Sequence, residues 1–213
     1  MCNSRTLLFL TYFIFAACNI EGKSNNNTSD SGPQRTTQKP ENNPDNSLKV
    51  KAEIVNVSDP AGLEKLEKSA KLLEKVLNSK VLKDRILNYS YNQSQKFIDN
   101  KDLSNAEVLD TIFRGSEILT PGDDNTASLK LTLYYSHSST VGYTTPQTVL
   151  IKINTKFFNG FDLAHVAGNL AHEWMHKLGF EHSRRNNADR DHSIPYAVGY
   201  LVRDIGEDML IKK

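Results

Sequence analysis

Residues 172–182 read His-Glu-Trp-Met-His-Lys-Leu-Gly-Phe-Glu-His, which is H-E-x-x-H-x-x-G-x-x-H. His172 and His176 are four apart, so on an α-helix they lie on one face, one turn apart, and two imidazoles there can reach one ion. Glu173 is rotated about 100° from His172. It is poorly placed as an equivalent ligand, and its carboxylate can instead reach a water on the metal. Gly179 is a helix stop, because glycine takes the left-handed conformation cheaply. The chain can then turn and bring His182 back as a third ligand. Three neutral nitrogens plus one water make an open tetrahedral site, catalytic in type, whereas a structural zinc is closed by a fourth protein ligand. A zinc so held lowers the pKa of its water to about 7 and polarises a carbonyl. Glu173 is the expected general base.

The segment resembles the zinc-binding signature of the metzincin metallopeptidases. The resemblance covers residues 162–182 closely and most of 48–213 loosely. It implies one Zn²⁺ per chain held by His172, His176 and His182, with Glu173 as general base and a peptide or protein as substrate. It also implies an α+β fold: a twisted mixed sheet with an antiparallel edge strand, two to three helices including the zinc helix, and a small C-terminal subdomain ending in a helix. By the same analogy, Val141, Gly142, Tyr143, Thr144 and Thr145 form an edge strand to which a substrate can add. Tyr196, and Tyr200 in reserve, are candidates for an oxyanion stabiliser. The pattern departs from the family in one respect. No methionine stands between His182 and Tyr200; Pro195-Tyr196 can replace that turn, with Ile194 or Pro195 as the apolar floor.

Two other functions compete. A peptidase could take Glu207 as third ligand in place of His182. An envelope binding or adhesion module could keep the zinc fold without turnover. His192 reads as a surface histidine. His165, about 10 Å before His172 along the helix axis, cannot share its metal.

The elements that must position these residues follow from local signals. Asp59-Pro60 starts a helix marked by Leu63, Leu66, Leu73, Val76 and Leu77. Ser104–Glu107 is a capping box for a helix that stops at Gly115. Asp162 caps the helix that carries the motif to about Leu178, with Val166, Leu170 and Trp174 toward the sheet. A last helix runs from about Ala197 to Ile211. Strands are expected at Lys51–Val57, Ile86–Tyr91 and Leu129–Tyr135. A further strand pair, Thr140–Thr145 and Thr148–Thr155, is split by Pro146-Gln147.

The 213 residues, 24% charged and 38% hydrophobic, suit one domain with appendages. A formal charge of +1 gives no reason to expect nucleic acid. Arg5 precedes the apolar run Leu7–Ala17, which is too short for a mature span and fits a secretory signal. The run ends in Phe15-Ala16-Ala17-Cys18, which resembles a bacterial lipobox. Residues 1–17 are then a lipoprotein signal peptide and Cys18 the lipid anchor. The implied location is the cell envelope, at the outer membrane where one exists, and the chain is expected to be a monomer. Residues 18–47 are poor in apolar side chains and read as a disordered, lipid-anchored tether spanning roughly 30 Å. Residues 48–213 are the metallopeptidase domain, large enough to bury about 70% of its unfolded surface.

Overall fold

The computed structural model describes residues 47–212 apart from 123 and 146. The expected signal, Cys18 and all but the last residue of the tether lie outside the described residues, as does Pro146 of the expected turn. No described helix is long and apolar enough to cross a membrane.

The fold is α+β. Four strands, β1 (Lys49–Ile54), β2 (Thr126–Tyr134), β3 (Gly142–Tyr143) and β4 (Leu150–Asn154), form one mixed sheet in the order β1-β2-β4-β3. β1 pairs with β2 and β2 with β4 in parallel, while β3 runs antiparallel to β4 at the edge, with Gly142 opposite Ile153 and Tyr143 opposite Lys152. Along β2, alternate residues Ala127, Leu129 and Leu131 are buried, as the two-residue period of a strand requires. The edge strand is shorter than expected: Val141, Thr144 and Thr145 flank it without belonging to it.

Seven helices occur among the described residues, rather than two to three. α1 (Pro60–Leu77) starts where Asp59 accepts from the Gly62 amide at 2.9 Å, with proline at its first turn. α2 (Lys80–Leu87) corrects the strand expected at Ile86–Tyr91. The Ser79 hydroxyl caps Leu82, and Leu82 and Ile86 then share one buried helical face. α3 (Asn105–Arg114) has the capping box of Ser104 with Glu107 and ends at Gly115 in the left-handed region, φ 68°. α4 (Thr155–Phe158) and α6 (Ala188–Asp191) are single turns. α5 (Leu163–Lys177) carries the motif, and α7 (Ile194–Ile211) closes the chain.

α5 packs against both α7 and α1, which also touch each other. It meets α7 through glycines. A β-carbon on Gly168 would come within 2.7 Å of the Gly199 carbonyl oxygen, and one on Gly199 within 3.0 Å of the Gly168 oxygen. Bare backbones at this crossing let the two helices approach closely. That closeness places the first turn of α7 under the histidines of α5. Val166, Leu170 and Trp174 are buried with the core, as expected for the opposite face.

Candidate metal centre

α5 begins with Asp162, whose Oδ1 accepts from the His165 amide at 2.8 Å, and it ends in a two-bond reversal. The Gly179 amide donates to the His176 carbonyl and the Phe180 amide to the Met175 carbonyl, each at 3.0 Å. These are the paired bonds of a Schellman cap, with Gly179 at φ +87° and Phe180 buried behind it. The segment before β2 anchors this end of the helix. Ile118 donates its amide to the Lys177 carbonyl at 2.9 Å. The buried Glu117 accepts from the Trp174 indole and the Ser128 amide, both at 2.9 Å.

The reversal brings His182 back to His172 and His176. Ring centroids are 5.0 Å apart for His172–His176, 5.3 Å for His172–His182 and 5.0 Å for His176–His182. One nitrogen from each ring lies within 4.8 Å of the other two, so the group could hold a metal ion.

Two of the rings are oriented by the main chain. His176 Nδ1 is 2.8 Å from the Phe180 carbonyl oxygen, and His182 Nδ1 is 3.1 Å from that of Ser183. A carbonyl only accepts, so both Nδ1 atoms carry hydrogen and both Nε2 atoms keep their lone pairs. The Pro195 carbonyl faces the His172 ring in the same sense. A backbone carbonyl behind each ligand is the supporting arrangement that metal-binding histidines use.

The electrostatics agree. Burial, and then the neighbouring imidazoles, hold His172 well below the ordinary histidine range and push His176 down to about 4. Burial also lowers His182. The rings are neutral at neutral pH, as metal ligation requires. Among the described residues, no carboxylate or cysteine joins the three histidines in this group. Neutral nitrogen donors in this number fit an open zinc-type site.

Glu173 is 2% exposed and stands outside the ligand group. Burial raises its carboxyl to about 8, opposed in part by a hydrogen bond from the Thr144 amide beside β3. The backbone just past the edge strand therefore reaches the carboxylate.

Tyr196 is 1% exposed. Its ring packs edge-on against His172 at 4.5 Å and against His182 at 4.6 Å between centroids. Ile194 and Pro195 are buried as well, but the ring in contact with the ligands is that of Tyr196. Burial pushes its phenol far up, so it stays protonated. Burial likewise raises Tyr200, to about 12.

Arg190 joins the site without any signal in the sequence. Its guanidinium carbon lies 4.8 Å from the Tyr196 ring centroid, its Nη2 donates to Asn186 Oδ1 at 2.7 Å, and its charge helps to lower His172 and His182. No spacing in the sequence announces that contact, which forms only when α6 folds against α7. His192 is not a simple surface histidine. It stacks on Tyr91 at 3.6 Å and its Nδ1 is 2.7 Å from the Tyr89 hydroxyl, so it fastens the segment after α2 to the start of α7. Glu207 lies apart from the three-histidine group, in a second cluster with Asp162 and His165.

Comparison with protein-family models, with curated proteins and with solved structures gives no significant match.

Proposed function

We propose that the chain is a zinc-dependent metalloendopeptidase of metzincin type, exported as a bacterial lipoprotein and tethered to the cell envelope through Cys18. The observation that carries the activity is the trio His172, His176 and His182. It is neutral and backed by main-chain carbonyls, with Glu173 buried beside it. These three residues would hold one zinc ion, which when bound supplies Lewis acidity to a peptide carbonyl and to a water.

The chain's own groups do the rest. Glu173 accepts a proton as the water oxygen adds to the scissile carbonyl carbon, and returns it to the amine nitrogen as the C–N bond breaks. A cation bound by the three neutral imidazoles would draw the Glu173 carboxyl back toward the ordinary range, so that it is ionised when it must accept. The Thr144 amide fixes the carboxylate's direction. β3 is a sheet edge, and a substrate in extended conformation can add to it as a further strand. Tyr196, with Arg190 against its ring, packs on His172 and His182 and keeps those rings in place.

The test is paired. Purified protein should contain one zinc per chain and cleave peptides, and Glu173→Ala should keep the zinc and lose cleavage. Absence of stoichiometric zinc, or hydrolysis by the variant at the native rate, refutes the proposal.

A further inference from the structure

Three buried polar side chains stand one helical turn apart on α5: Asn169, Glu173 and Lys177, at 2%, 2% and 4% exposure. All three meet the chain segment 142–148. A β-carbon on Gly142 would lie 2.6 Å from Asn169 Oδ1 and 3.2 Å from Glu173 Oε1. The Thr144 amide bonds the Glu173 carboxylate. The Lys177 ammonium donates to the Thr148 carbonyl. Asn169 makes no side-chain hydrogen bond among the described residues, so α5 grips the segment at Glu173 and Lys177.

The segment needs such a grip, because β3 pairs with β4 through only two residues. The Asn154 amide donates to the Val141 carbonyl. Polar main-chain groups of Val141 and Tyr143 therefore point at β4, and those of Gly142 and Thr144 point out of the sheet. That outward row is the one a substrate strand would join and the one Glu173 meets. Beyond it, the Thr148 amide closes a turn onto the Thr145 carbonyl at 3.1 Å, and the Thr144 hydroxyl donates to the Leu150 carbonyl at 3.0 Å. Holding Thr148 thus holds Thr144. Burying an ammonium for this bond carries a desolvation cost that an apolar side chain would avoid. The buried carboxylate of Glu117 favours the charge.

We propose that Lys177 is a positioning residue for hydrolysis: by anchoring Thr148 it sets the outward row of the edge segment, and through the Thr144 amide it aims the Glu173 carboxylate. The proposal rests on the peptidase function above. Lys177 acts through Thr148 and Thr144, not on the reacting atoms.

The test removes the ammonium by Lys177→Met. A second variant, Lys177→Met with Glu117→Gln, avoids stranding the counter-charge. Gln keeps an Oε1 for both the Trp174 indole and the Ser128 amide, which bond that atom in the native chain. Each zinc-loaded full chain is compared with native protein for zinc content, amide hydrogen exchange and peptide cleavage. If the single variant does not fold, the charge-neutral pair decides. The expected result is equal zinc, protection of the Thr144 amide reduced about tenfold or more while amides of α5 and β2 keep theirs, and kcat lower by about tenfold or more. Native protection at Thr144 refutes the anchor. Reduced protection there with native kcat refutes the aiming of Glu173. Protection lost alike throughout the fold makes Lys177 a stability residue only, and the proposal is refuted. If zinc-loaded native protein cleaves no peptide, the peptidase function itself fails and this role with it, whatever the exchange shows.

Discussion

Gly142 and Glu173 touch across the gap between the edge strand and α5. A β-carbon at 142 would lie 3.2 Å from Glu173 Oε1 and 2.6 Å from Asn169 Oδ1. Gly142→Ala must therefore turn the Asn169 carboxamide aside or shift β3, and either movement disturbs the packing around the Glu173 carboxylate. Overpacking of this kind costs about 1–3 kcal/mol. The three histidines are not among the nearest atoms that β-carbon would meet, so zinc binding should be unaffected. We expect a lower melting temperature and a fall in kcat with zinc content unchanged, measured on the same preparation. Native kcat in this variant would show that β3 does not orient the carboxylate.

Gly179 is the hinge that returns His182 to the other two ligands. At φ +87° an alanine is strained by roughly 1–2 kcal/mol. Its β-carbon would also meet Ile118 Cδ1 at 3.1 Å, a flexible tip that can move. Relief of the strain opens the Schellman turn, moves the Phe180 carbonyl from His176 and displaces His182. Gly179→Ala should therefore lose zinc affinity by more than its loss of metal-free stability, read by chelator competition beside thermal melting.

Features set by a few neighbouring residues were legible in the sequence. Asp59-Pro60, the Ser104–Glu107 box, the Asp162 cap and the Gly179 stop each act within one turn of backbone, and the helices begin and end there. The meeting of His172, His176 and His182 was legible for the same reason, since they lie within eleven residues of one helix and its cap. α2 was not legible. Ile86, Leu87, Tyr89 and Tyr91 favour a strand by type, and only two helix-spaced apolar positions, Leu82 and Ile86, oppose that signal. The approach of Arg190 to Tyr196, the Gly168–Gly199 crossing and the stranded amide of Asn169 all depend on how α5, α6 and α7 pack. Such contacts between separate elements leave no periodic trace.

The third ligand can be decided by substitution. His182 shares the metal group, whereas Glu207 is 3.8 Å from His165 Nδ1 and 3.8 Å from Arg203 Nε, in the separate cluster. His182→Ala should strip the site of zinc under dialysis against a weak chelator. Glu207→Ala should keep it, with stability changed by less than about 1 kcal/mol, since partly exposed ion pairs are weak. Loss of metal from the Glu207 variant alone would reverse the assignment.

The metal-free protein should depend on pH in two opposed ways. His176 is pushed down to about 4 from an ordinary 6.5, so the unfolded chain binds a proton that the folded chain refuses. That contribution is complete above pH 6.5 and is lost as pH falls through about 4. Glu173 behaves in the opposite sense. Its folded value, about 8, lies above its ordinary 4.5, so its contribution is complete below pH 4.5 and is lost as pH rises through about 8. Glu173→Gln removes the second effect and leaves the first. In chelator-treated protein, the stability of this variant relative to native should climb from pH 4.5 to about 8 and then level, reaching on the order of a few kcal/mol. Denaturant melts at half-unit steps of pH measure it directly. A flat difference across that window would mean that Glu173 is already ionised in the folded metal-free protein, and that its burial does not set its proton affinity.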